Sequence, residues 1–167
     1  MPSDTDRIEK STVLNAPLAR VWAAVSDATQ FGRWFGMTLD GPFVAGQTLT
    51  GRITPTTVDP EVARLQEPHA GAAFVLFVER IEPMRLFSFR WHPNAVGPED
   101  SAREPTTLIE FTLEPVTSGT RVTITESGFD RIPLERRAQA FKANSEGWTH
   151  QLRLVGLYLA QTADRPA

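Results

Sequence analysis

The apolar positions of this chain change period twice, and the changes divide it into three parts. Residues 7–14, RIEKSTVL, carry β-branched side chains and predict a strand. In NAPLARVWAAVSD the spacing shifts. Leu18, Val21, Trp22 and Val25 stand at i, i+3, i+4 and i+7, one face of a helix. Pro17 suits its first turn, where a missing N–H leaves nothing unpaired. Asp27 can cap a second short helix that sets Phe31, Trp34 and Phe35 on one side and stops at Gly36.

Beyond Gly36 the period falls to two. MTLDGPFVAGQTLTGRIT is cut by Gly41-Pro42 and Ala45-Gly46 into short strand-like pieces, with Leu49, Gly51 and Ile53 on one face. Residues 55–71, PTTVDPEVARLQEPHAG, interrupt with three prolines and predict a mobile excursion holding one helical turn. AFVLFVERIEPMRLFSFRW (73–91) predicts two strands that turn near Glu82-Pro83. In the second of them Phe87, Phe89 and Trp91 alternate with Ser88 and Arg90, the mark of a one-sided strand. Residues 92–105 are expected to be loop. TTLIEFTLEP and TRVTITES, joined by VTSG, give a hairpin signal. Ile109, Phe111 and Leu113 share one face of the first, and Val122, Ile124 and Glu126 share one face of the second.

GFDRIP bends the chain, and from Leu134 to about Gln161 the helical period returns. At ~100° per residue, Arg137, Phe141, Asn144, Ser145, Trp148, Leu152, Val155 and Leu159 share a face. Gly147 is a candidate break that would give two helices. Leu154 and Leu157 point away from the Trp148 face, with Tyr158 to the side. An apolar cluster there would suit a homodimer contact as well as ordinary scattered exposure. The order is strand, two short helices, about six strands, long helix. Consecutive strands with short turns imply an antiparallel sheet, and only one helix is long enough to cover its apolar face. The expectation is an α+β single domain over 1–167, with its core at about 7–161. A curved sheet need not meet its helix everywhere, and the gap between them is a natural cavity.

Composition narrows the partners. Of 167 residues, 41% are hydrophobic and 22% charged, and the net charge of −3 is too weak and mixed to point to nucleic acid or an anionic membrane surface. The absence of cysteine excludes disulfides, thiolate metal sites and cysteine nucleophiles. The opening MPSDTDRIEK lacks the apolar core of a signal peptide, and no apolar run approaches the ~20 residues of a spanning helix. A cytoplasmic protein without membrane insertion is expected.

Five stretches, IEKSTVLNAPLARVWAAVSD, FGRWF, LFSFRW, VTITESGF and NSEGWTHQLRLVGLYL, resemble in order and spacing the activator of Hsp90 ATPase homologue family. That family lies within the START-like (SRPBCC) superfamily of helix-grip folds. The resemblance covers about residues 7 to 161. It implies a curved antiparallel sheet of about six or seven strands wrapped around a long C-terminal helix. For function it implies less, since relatives bind lipids, hormones or polyketides, and some catalyse cyclisation or dehydration. The family's name also implies a chaperone as a partner.

Within that frame, NSEGWTHQL turns small and polar half-way along the last helix. Either Gly147 lets a strand approach while Asn144 and Ser145 bond nearby backbone, or Asn144 and Ser145 line a cavity. Trp148 shares their face, as core or as platform. Glu126 points by strand parity with Val122 and Ile124 toward the helix, and a buried carboxylate must be paired or neutral. Arg137 is a candidate partner for it. Glu126 would otherwise be a polar anchor at the pocket mouth or a general acid/base. Trp34, Phe35, Phe87, Phe89, Trp91, Phe111 and Phe141 are expected to converge on the same interior, as core or as an aromatic wall suited to a flat ligand. His69, His92 and His150 form no metal signature, and neither a GxSxG elbow nor a phosphate-cradling loop is present, so no metal or cofactor is expected. The leading expectation is a binding module for a small hydrophobic or amphipathic molecule, gated by segments 55–71 and 92–105. A chaperone-interaction protein acting through its surface, and a cyclase or dehydratase using Glu126, are the alternatives.

Overall fold

The computed structural model describes residues 6–92 and 105–163. Most of the expected 92–105 loop and its gating role therefore lie outside the described residues. The elements are β1 (Arg7–Leu14), α1 (Leu18–Ser26), α2 (Ala28–Phe35), β2 (Met37–Leu39), β3 (Thr48–Ile53), α3 (Pro60–Gln66), β4 (Ala73–Glu82), β5 (Leu86–Trp91), β6 (Thr107–Val116), β7 (Gly119–Ser127) and α4 (Leu134–Gln161). The strands form one antiparallel sheet in the order β1-β7-β6-β5-β4-β3-β2. It is the curved α+β sheet with a long C-terminal helix that the pattern predicts.

The local signals act as their chemistry requires. The Asp27 carboxylate accepts the Thr29 N–H at 2.9 Å and starts α2. Gly36 ends that helix in the left-handed region at φ 98°, which costs glycine nothing. Gly32 has a different duty. A Cβ there would lie 2.3 Å from the Met37 carbonyl oxygen, so its bareness lets α2 lie along β2, the edge strand. α4 runs unbroken for 28 residues through Gly147.

Three expectations change. Segment 55–71 is tethered rather than mobile. Asp59 caps α3, the Thr56 hydroxyl donates to Arg33 O, the Gln66 amide to Phe35 O and the Gln161 amide to Val58 O. Arg153 of α4 pairs with Asp59. The Leu154–Tyr158 cluster is interior: Leu154 is 0% and Tyr158 6% exposed, and Leu157 packs against the core. α1, α2 and β1 pack around this half of α4, a second layer that the helix period alone does not show. The Tyr158 hydroxyl donates to the side-chain amide oxygen of Gln30, Oε1, at 3.0 Å. Most of the apolar cluster that would have suited a homodimer contact is thus used within the fold. Finally, Ser88 is buried although it alternates with inward phenylalanines. β5 is the middle strand, and Arg80 and Glu110 flank Ser88 in register on its two neighbours.

Candidate functional site

The β6–β7 hairpin sets Glu126 opposite Ile109, and strand parity turns its side chain inward with Val122 and Ile124. Trp91 ends β5 and stands opposite Thr107, the first residue of β6. Asn144 and Trp148, four residues apart on α4, face the same point. There the Glu126 carboxylate, 0% exposed, gathers all four. Oε2 accepts from Trp91 Nε1 at 2.9 Å and Thr107 Oγ1 at 2.5 Å. Oε1 accepts from Trp148 Nε1 at 2.7 Å, and Asn144 Nδ2 lies 3.0 Å from both oxygens. Two carboxylate oxygens offer about four lone-pair sites, and these contacts fill them.

Arg137 is not the partner. Its guanidinium donates to the Asp130 and Ile132 carbonyl oxygens, tying the turn that leads into α4, and lies 4.0 Å from the Asp130 carboxylate. The turn 129–131 sits against the helix start, so Arg137 reaches it before it can reach the end of β7. The expected ion pair is replaced by a carboxylate held entirely by neutral donors.

The aromatics, apart from Phe141, form one connected network in which two sets can be told apart by their place. Trp34, Phe87, Phe89 and Phe111 are sealed in the core around Phe31, which touches each of them edge-on with ring centroids 4.8 to 6.3 Å apart. Much of the interior that was expected to hold a ligand is therefore filled by the protein's own rings. The second set is Phe35, Trp91 and Trp148. The two indoles stack at 5.5 Å and 24°, and Phe35 lies 5.9 Å from each. Phe141 belongs to neither set and packs on Phe129 at 5.2 Å. Ser145 is half-buried, and its carbonyl accepts from Thr149.

A cleft of about 140 Å³ opens beside the second set, lined by Phe35, Trp91 and Trp148 with Ala143, Asn144, Gly147 and Gln151 of α4. A Cβ on Gly147 would meet nothing within 4 Å, so this glycine leaves room rather than admitting a strand. Gln151 donates from Nε2 to Phe35 O at 3.2 Å, and its Oε1 is buried without a partner. Sequence reasoning missed Gln151 and Thr107. Gln151 had a signal, since it stands at i+4 from Gly147 and i+7 from Asn144 on one helix face. Thr107 had none before the β5–β6 register was known.

A larger open groove, about 800 Å³, runs along α2 and β2 and is lined among others by Asp27, Arg33, Thr38, Asp40, Phe43 and Thr54. Much of its polar chemistry is already engaged: Asp27 caps α2, Asp40 accepts the Thr50 N–H, and the Thr38 and Thr54 hydroxyls bond each other at 2.7 Å. The small cleft has the convergent rings and the buried charge, so it is the stronger site.

Residues 15–159 match the family described as Activator of Hsp90 ATPase homolog 1-like protein. The chain belongs to this family. Solved structures agree with the fold of this family member. A protein from Mesorhizobium loti shares 18% identity at a TM-score of 0.69, over 93% of this chain and 98% of its own. One from Arthrobacter aurescens shares 18% at 0.70, over 96% and 90%. DynU16, from the dynemicin biosynthetic locus, shares 24% at 0.66 over 95% of this chain and 48% of its own length. No curated protein matches the chain. Among the described residues no helix is long and apolar enough to cross a membrane.

Proposed function

We propose that this member of the family is a binding module for one small, flat, hydrophobic or amphipathic molecule, held in the cleft between α4 and the end of β5. The observation that carries the reading is the space at Gly147, bounded by three rings and two amides and left open by a residue without a side chain. Its volume is close to that of an engineered apolar cavity that admits benzene, about 150 Å³. It is well below the ~300 Å³ of ordinary ligand pockets. A single ring or a short chain fits; a whole lipid does not. The Glu126 network fixes the far wall, because it locks both indoles and Asn144 by their own N–H groups.

The acid/base alternative is weaker on the same geometry. A carboxylate whose oxygens already accept from four side chains has no open lone pair to present to a substrate. The family description supports a second reading, an Hsp90-type chaperone partner acting through its outer surface. A pull-down with Hsp90, followed by an ATPase assay, tests it.

The cleft reading is tested by native mass spectrometry of the purified protein. A small co-purified mass is expected in the wild type and is expected to vanish in Gly147→Leu, whose side chain fills the space. Retention of that mass in a folded Gly147→Leu protein would remove the cleft as its site.

A further inference from the structure

The cleft has a chemical sign as well as a size. Most of the side-chain N–H groups around it are engaged. Trp91, Trp148 and Asn144 give theirs to Glu126, and Gln151 gives Nε2 to Phe35 O. The polar capacity left to Asn144 and Gln151 is their amide oxygens, of which Gln151 Oε1 is buried without a partner, and one N–H of Gln151. Among the described residues, none that lines the cleft carries a positive charge. Behind them sits a buried carboxylate whose four hydrogen-bond partners are all neutral. An indole that gives its N–H to a carboxylate is polarised so that its ring face becomes richer in electrons. Trp91, half-buried, presents such a ring to the cleft, with Trp148 stacked on it.

Resting on the cleft reading above, we infer that the preferred ligand is a small organic cation. It would carry at least one N–H, on a ring or chain of about benzene size. The ring or chain fills the space at Gly147. The charge lies against the indole faces, where cations are attracted within about 6 Å of a ring centroid. An N–H satisfies an acceptor that the protein leaves open. A carboxylate ligand meets no cation, at most one free N–H and a buried like charge. Fatty acids and other anionic amphiphiles are disfavoured on that ground.

Three probes of one shape separate the claims: benzylammonium, benzyl alcohol and benzoate, each titrated by calorimetry into wild type and Gly147→Leu at low salt. Benzylammonium is expected to bind at least tenfold more tightly than benzyl alcohol, and benzoate more weakly than either. Added salt is expected to weaken only the cation. Gly147→Leu is expected to abolish all binding; if it fails to fold, Gly147→Ala serves, with reduced affinity. If benzyl alcohol binds as well as benzylammonium and both are lost on filling Gly147, the charge preference is overturned while the cleft stands. If no probe binds the wild type, or if filling Gly147 changes nothing, both fall.

Discussion

Glu126 is the residue on which the most side chains depend. Two features of it were legible in the sequence: strand parity turned it inward, and the polar break in the last helix put Asn144 on the facing side. Its companions were not legible. Trp91 and Thr107 reach it through the register of β5 on β6, and register is fixed by pairing between distant segments. The mistaken pairing with Arg137 has the same origin, because charge alone proposes an ion pair where geometry supplies four neutral donors. The distinction has a consequence for substitution. Glu126→Gln keeps the shape but replaces an acceptor oxygen by an N–H₂ among partners that include two indole N–H groups, which can only donate. It is expected to cost about 3 kcal/mol, and to lower the melting temperature by roughly 10 °C, although it removes a buried charge. A thermal melt that left Glu126→Gln at the wild-type midpoint would mean that the carboxylate is not held as described.

At the scale of elements, the two short helices, the tight hairpin and the long helix follow from spacing and caps that can be read one segment at a time. What could not be read is how elements cover one another. Leu154 and Tyr158 lie off the predicted inner face of α4, yet α1 and α2 bury them. Two glycines make the same point from opposite sides. Each sits within a helix, and nothing in the sequence distinguishes them. Gly147 borders space, so Gly147→Ala is expected to stabilise by up to about 1 kcal/mol through helix propensity. Gly32 borders the Met37 carbonyl, so Gly32→Ala is expected to destabilise by about 2 kcal/mol or more as α2 is pushed off the sheet edge. Urea unfolding of the two variants, with shifts of opposite sign, checks the pair.

For the whole molecule, the segment expected to be loose is a strap. It ties α2 to α4 across α3, and its charged fastening is Arg153 on Asp59. The hydrogen bond from Arg153 is the largest influence on the Asp59 carboxyl. Desolvation raises its pKa, but that bond, the Glu61 and Val62 N–H groups and the Arg153 charge together hold it below the ordinary value of 3.8. The folded carboxyl then takes up its proton at lower pH than the unfolded one. The stabilisation is complete above the ordinary value and is lost as pH falls through the lowered one. Asp59→Asn keeps an N-cap and loses the charged pair. Its deficit against wild type is expected to be largest near neutrality and to shrink by about pH 3, as read by urea unfolding at both. An equal deficit at both would detach the strap from Asp59 ionisation.

The stacked indoles of Trp91 and Trp148 are close enough for their electronic transitions to couple. Coupled chromophores in a fixed twist give paired circular-dichroism bands of opposite sign, for indoles in the far ultraviolet, where their strong transition lies. Trp91→Phe should erase that doublet, and a guest lodged against the pair should alter its amplitude. The protein thus carries a built-in optical gauge of occupancy that needs neither label nor knowledge of the guest.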